Sequence, residues 1–130
     1  MRALAVLLLC AGNATAEGPP PDYFGGVYER IGRSGETPPR LVNDLVRLIP
    51  DDAGGLRLTA CRGDAATIDL RFDRFGDLQN LLSTPEGQPW LGCQFFNDMD
   101  NYPILACQGG DGSKLTLWPA DLPAEACPNP

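Results

Sequence analysis

Hydrophobic and polar residues alternate in several short stretches of the chain, and this period of two is typical of β-strands that cover a core on one side. In residues 68–73, Ile68, Leu70 and Phe72 alternate with charged residues. The same reading predicts further strands at 27–33, 56–61, 90–96, 103–108 and 114–118. The predicted fold is mainly β, a small antiparallel meander, sandwich or barrel with one or two short helical segments, stapled by disulfides.

Two segments are candidates for the helical part. Leu41, Leu45, Leu48 and Ile49 have the i, i+4, i+7, i+8 spacing of one helix face. The strong turn sequence at 50–55 suits a strand before it equally well, so residues 41–49 are predicted as either a short helix or a strand. Residues 75–82 fit a single helical turn.

The first sixteen residues have the pattern of a secretory signal peptide. Arg2 supplies a positive start, residues 4–10 form an apolar run, and Ala14 and Ala16 suit a cleavage site after Ala16. The run is shorter than the roughly 20 residues that a membrane-spanning helix needs. The sequence therefore predicts a periplasmic or extracellular protein.

The remaining chain divides into three predicted parts. A Pro/Gly-rich extended lead covers 17–26, a single β-rich domain covers 27–118, and a Pro-rich tail covers 119–130. We expect Cys127 to pin this tail to the domain.

Four cysteines remain once Cys10 is assigned to the signal peptide: Cys61, Cys93, Cys107 and Cys127. An even number of cysteines in a short exported chain predicts disulfides. Positions 93 and 107 face each other if the hairpin that contains them is regular. The competing, slightly favoured arrangement is sequential, with Cys61–Cys93 and Cys107–Cys127.

Charge and composition exclude several functions. The chain has 17 Asp and Glu, 10 Lys and Arg, and no His. The acidic balance argues against binding to nucleic acid or to an anionic membrane surface. Without histidine there is no Ser–His or Cys–His catalytic pair and no imidazole metal ligand. No catalytic residue, metal site or cofactor is predicted.

One hairpin carries the candidate binding surface, which consists of Trp90, Phe96, Asp98, Asp100 and Tyr102. Exposed aromatic side chains mark interaction surfaces. Phe95 and Phe96 are adjacent in a strand, so they point to opposite faces of the sheet, and one of them is exposed unless both faces are covered. An acidic protein with an aromatic patch suits a basic exported protein as its partner.

Two segments of the chain share a cysteine-anchored hairpin pattern. Residues 58–70 and 104–117 both contain Ala-Cys-x-Gly, followed by Asp and a returning apolar strand. These units resemble a hairpin of the small periplasmic C-type lysozyme inhibitors, which are compact β-barrels that insert a loop into the cleft of a basic lysozyme. The Ser-Gly-x-x-Tyr loop and Thr-Lys-Gly segment of that family have no counterpart in this sequence, so no inhibitory residue is assigned.

The function predicted from these observations is an exported non-catalytic binding or inhibitor-type module that acts on a protein partner. A structural component of the cell envelope is the alternative. A small hydrolase that uses a carboxylate pair, either Asp98 with Asp100 or Asp69 with Asp73, is a third reading.

Overall fold

The computed structural model describes residues 19–63, 67–73, 76–79, 90–97 and 103–128. Eight strands follow one another along the chain: β1 (Gly26–Arg33), β2 (Leu41–Pro50), β3 (Leu56–Ala60), β4 (Ile68–Phe72), β5 (Leu78–Gln79), β6 (Leu91–Asn97), β7 (Pro103–Gly109) and β8 (Lys114–Pro119). Each strand pairs antiparallel with the next, and β8 pairs with β1 to close a barrel. The predicted mainly β fold is confirmed, as a closed up-and-down barrel.

The core of the barrel is formed by inward-facing side chains. Alternate residues of each strand point inward, so that the period of two in the sequence becomes the inner face of the closed sheet. The buried core consists of Phe24, Tyr28, Val46, Leu48, Leu56, Leu58, Leu70, Leu78, Leu91, Cys93, Leu105, Cys107 and Leu117. These residues form one packed cluster in the described part of the barrel.

The helix predicted as one possibility for residues 41–49 is wrong, because this segment is strand β2. It pairs with β1 along Leu41–Leu48 and with β3 along Val46–Pro50. The helically spaced leucine at position 41 is 91% exposed, whereas the core is contacted by Val46 and Leu48, two residues apart. Pairing with neighbours on both sides overrides the local helical spacing.

The helical turn predicted at 75–82 is also not found where the structure describes the chain. Leu78 and Gln79 form the short strand β5, which lies between β4 and β6. Residues 75 and 80–82 lie outside the described residues.

The segment before β1 differs from an extended lead. Pro21–Phe24 form one turn of 3-10 helix, and Phe24 is buried in the core against Phe95, with ring centroids 5.1 Å apart. The hydroxyl of Tyr28 donates a hydrogen bond to the carbonyl oxygen of Phe24 at 2.7 Å. We call this end of the barrel, where β1 begins and β8 finishes, the terminal end.

At the opposite end, which we call the distal end, an ion pair takes the place of apolar packing. Arg30 donates to both carboxylate oxygens of Asp44, at 2.9 and 2.6 Å. The two residues are directly opposed in β1 and β2, and Arg30 is also opposed to the inward-facing Leu117. Because opposed residues share a face, this pair belongs to the inner side of the barrel.

The disulfides are Cys93–Cys107 and Cys61–Cys127. The facing arrangement of Cys93 and Cys107 across the β6–β7 hairpin is therefore confirmed, and the sequential pairing is wrong. Cys107 points into the core, away from the tail. The tail instead crosses the outside of the barrel, where the N–H of Ala120 donates to the carbonyl oxygen of Val27 at 2.9 Å and Cys127 reaches Cys61.

Replacing Tyr28 with Phe is expected to lower the free energy of unfolding by about 1 kcal/mol at pH 7, because a buried hydrogen bond is lost. Burial raises the pKa of Tyr28, and Tyr23 adds to the increase. The stability that this hydroxyl contributes is therefore complete below about pH 10, the ordinary pKa of tyrosine, and declines as the pH rises further. Urea unfolding of wild type and Tyr28→Phe at pH 7 and pH 10.5 tests this. The difference in free energy of unfolding between the two proteins should be smaller at pH 10.5 than at pH 7. A constant or larger difference would contradict the stabilising role assigned to the Tyr28 hydroxyl.

Candidate binding surface

Concave surfaces and clustered charges in the described part of the chain are the candidates for a functional site. Among the described residues, no three Cys, Asp or Glu side chains lie close enough together to hold a metal ion. That part of the chain also contains no helix of the length and apolarity that a membrane crossing requires.

The structure separates the aromatic residues of the predicted binding surface. Trp90 precedes β6 at the distal end and is 46% exposed, while Phe96 lies near the terminal end of the same strand and is 51% exposed. Phe95 packs against the core, so Phe96 is the outward member of the adjacent pair. Asp98, Asp100 and Tyr102 lie outside the described residues.

Phe96 belongs to a row of apolar residues on the outside of β6, β7 and β8, which we call the apolar row. Phe96 is directly opposed to Ile104 in β7. The register that opposes Leu105 to Leu117 puts Ile104 and Trp118 at the next position of β7 and β8. Trp118 is 46% exposed, so two of the three side chains of the apolar row present about half of their area to solvent.

The apolar row continues into an open groove at the terminal end. This terminal groove has a volume of about 620 Å³, and Tyr23, Pro103, Trp118, Asp121 and Leu122 are among its lining residues. Leu122 is exposed like Trp118, although it lies in the tail, where the sequence has no periodicity. The path of the tail across β1 brings it to the groove.

Carboxylates surround the terminal end. In the described part of the chain, six of them lie in its turns and flanking segments: Asp22, Asp51, Asp52, Asp73, Asp77 and Asp121. The carboxylate of Asp51 is held by three partners. It accepts hydrogen bonds from the N–H groups of Gly55 and Ala53, and it forms an ion pair with Arg71 at 2.7 Å. These hydrogen bonds, led by that from Gly55, hold the pKa of Asp51 below its ordinary value. The group therefore stays ionised in mildly acidic solution.

Basic residues are more frequent at the distal end. Arg33, Arg40, Arg62 and Lys114 lie there, together with the acidic residues Glu36 and Asp111. Glu36 is paired with Arg40 at 2.9 Å. The hydrogen bond that Ser113 N–H donates to Asp111 lowers the pKa of that carboxyl. Arg47, Arg57 and Arg71 also lie near the terminal end, where the six carboxylates outnumber them. The described charges thus give the barrel an acidic terminal end and a more basic distal end.

The carboxylate pairs considered for hydrolysis have other contacts in the described structure. Asp69 is paired with Arg57 on the outer face at 3.5 Å. Asp73 accepts the backbone N–H of Asp77 at 3.0 Å within the β4–β5 turn. Asp98 and Asp100 fall outside the described residues. Asp69 and Asp73 therefore each have a partner within the fold.

Sequence reasoning did not find Trp118 or Leu122. Trp118 follows Leu117 in a predicted strand, so its outward direction could have been deduced from the inward direction of Leu117. Its proximity to Leu122 could not be deduced, because that depends on the path of the tail.

The chain matches no family model, no curated protein and no solved structure. The resemblance to lysozyme inhibitors stays a likeness of two sequence segments.

Proposed function

We propose that this protein is an exported, non-catalytic binding or inhibitor-type module whose terminal end docks onto a basic protein partner. The observation that carries the proposal is the continuity of the apolar row with the terminal groove, beside the carboxylates of that end. The two disulfides are compatible with export, and the sequence of residues 1–16 favours it.

The partner's chemistry follows from the two components of the surface. Trp118 and Phe96 are large rings that already expose about half of their area, and aromatic side chains of this kind supply much of the binding free energy at protein interfaces. Asp121 lines the groove itself, and Asp22 precedes Tyr23 at its edge. Carboxylates at the rim accelerate association with a positively charged protein and disfavour an acidic one.

The function is tested by capture from an exported-protein fraction with the immobilised protein. The double variant Trp118→Ala/Leu122→Ala removes the apolar side chains of the groove. Leu41→Ala is the matched control, because Leu41 is an even more exposed apolar residue at the distal end. We expect wild type and Leu41→Ala to retain the same basic protein at low salt and to release it at high salt. The double variant should bind the purified partner roughly tenfold or more weakly.

Three results would count against this function: equal capture by the double variant, a captured protein that is not basic, or retention that salt does not change. If no protein is retained and the barrel co-fractionates with the cell envelope, the result favours a structural component of the envelope over a binding module.

A further inference from the structure

A second concave surface lies on the outside of β5, β6 and β7, and it shares no lining residue with the terminal groove. This lateral groove has a volume of about 270 Å³. Its lining includes one tryptophan, three glutamines and two aspartates: Trp90, Gln79, Gln94, Gln108, Asp73 and Asp77. Neither Trp118 nor Leu122 contributes to it, so the lateral groove and the terminal groove can be altered independently.

The floor of the lateral groove consists of two small residues on adjacent strands. Gly92 in β6 is directly opposed to Gln79 in β5 and to Gln108 in β7. Ala106 in β7 is opposed to Gln94 in β6. Gly92 has no side chain and Ala106 has only a methyl group, whereas the residues around them have longer side chains. The outer face of the sheet therefore has a shallow depression at these two positions.

The indole of Trp90 lies over this floor. A Cβ atom added at Gly92 would overlap the six-membered ring of Trp90, so the ring rests on the glycine. The carbonyl oxygen of Trp90 accepts the N–H of Gly110 at 2.6 Å, which fixes the backbone beneath the ring. The side chain is nevertheless 46% exposed. The groove therefore contains a supported aromatic ring that is available to a ligand.

The polar walls supply both kinds of hydrogen-bonding group. Each glutamine amide has an acceptor oxygen and a donor nitrogen, and the aspartates add acceptors. Gln94 and Gln108 are exposed, with Gln79 half-buried beside them. Burial, with the nearby carboxylate of Asp73 as a further cause, raises the pKa of Asp77. The described lining residues include no Lys or Arg, so an anionic ligand would meet carboxylates without a compensating positive charge.

We propose that the lateral groove binds a neutral saccharide, with one pyranose ring stacked on Trp90. A pyranose has a face of C–H groups, which suit the electron-rich face of an indole, and a rim of hydroxyls that both donate and accept hydrogen bonds. The glutamine amides and the aspartate carboxylates stand where they can bind these hydroxyls. The groove thus has an aromatic ring for the C–H face of the sugar, and amides and carboxylates for its hydroxyls. This inference does not depend on the protein-binding role proposed for the terminal end.

The test measures binding of neutral trisaccharides built from glucose, mannose, galactose or N-acetylglucosamine. Isothermal titration calorimetry is used with the full mature protein, and tryptophan fluorescence with Trp118→Phe, in which Trp90 is the remaining tryptophan. We expect at least one trisaccharide to bind saturably at millimolar concentration and to change the fluorescence of Trp90. Trp90→Ala should weaken that binding by roughly tenfold or more, and Trp90→Phe by less.

Two further variants separate ligand contact from damage to the fold. Gln108→Ala removes one wall amide from an exposed position and should weaken binding without lowering the urea midpoint. Trp118→Ala removes the other tryptophan and should bind the sugar as wild type does. Absence of binding to every trisaccharide, or unchanged binding by Trp90→Ala, would overturn the proposal. Tighter binding of an anionic oligogalacturonide than of any neutral probe would also overturn it.

Discussion

Replacing both Cys61 and Cys127 with alanine is expected to lower the free energy of unfolding by about 4 kcal/mol. The two residues are 66 positions apart, and a cross-link that closes a loop of this length removes about that much conformational freedom from the unfolded chain. The disulfide also contributes to the folded state, because it holds the tail over Val27 and Leu45 on the outside of β1 and β2. Urea unfolding of the oxidised proteins measures the difference.

The barrel itself should survive this change, because the Cys61–Cys127 bridge lies outside the main core. Near-ultraviolet circular dichroism should therefore stay close to that of wild type, while a protease should cut the tail of the variant faster. In the matched variant Cys93→Ala/Cys107→Ala the bridge spans only 14 residues, and the loss from chain entropy should be about 3 kcal/mol. The two sulfur atoms of that bridge are in the core, so its removal should also alter the near-ultraviolet spectrum.

A loss of less than about 1 kcal/mol for Cys61→Ala/Cys127→Ala would mean that the bridge does not restrain the unfolded chain as the entropy argument requires. Peptide mapping without reductant gives a separate check on the pairing. A peptide that joins Cys61 to Cys127 is expected, and one that joins Cys107 to Cys127 would contradict the structure.

The strands were predictable from the sequence because their signal is local. Leu56, Leu58 and Leu70 alternate with polar residues, and each points into the core where the alternation places it. The segment that forms β2 was ambiguous because its leucines also satisfy a helical spacing. The segment forms a strand because it pairs with β1 and β3. A window of nine residues contains neither of these two partners.

The sequence predicts one of the two disulfides better than the other, again because one depends on neighbouring residues and the other on distant ones. The Cys93–Cys107 pair follows from the symmetry of one hairpin, which the sequence displays. The partner of Cys127 depends on the path of the tail outside the barrel, and that path is fixed by contacts such as the Ala120–Val27 hydrogen bond between the two ends of the domain.

The candidate surfaces were predictable only in part for a related reason. Trp90 and Phe96 are close in sequence and were grouped together, yet six positions along an extended strand separate them by roughly 20 Å. Trp118 and Tyr23 line one groove because the closed barrel pairs the first strand with the last, and Leu122 joins them through the path of the tail. A surface assembled by barrel closure has no signature in a single stretch of sequence.

Leu105→Ala is expected to lower the free energy of unfolding by about 3 kcal/mol. Leu105 is fully buried between Phe95 on β6 and Leu117 on β8, and truncation of a leucine in a close-packed core costs about 2–5 kcal/mol. The matched control is Ile104→Ala, one residue earlier in the same strand. Ile104 faces outward in the apolar row and is half-buried, so its truncation should cost about 1 kcal/mol or less. Urea unfolding of the two variants gives both values.

This pair of variants tests the fold and the proposed function together, because adjacent residues of one strand are assigned opposite roles. If β7 has the register described, Leu105→Ala loses stability, whereas Ile104→Ala stays folded and binds the basic partner more weakly. A slip of one residue would exchange the two outcomes, since it moves every side chain of the strand to the other face. Equal stability losses would contradict the inward and outward assignment on which the apolar row depends. A stable Ile104→Ala protein with unchanged partner binding would leave the barrel intact and remove the apolar row from the binding surface.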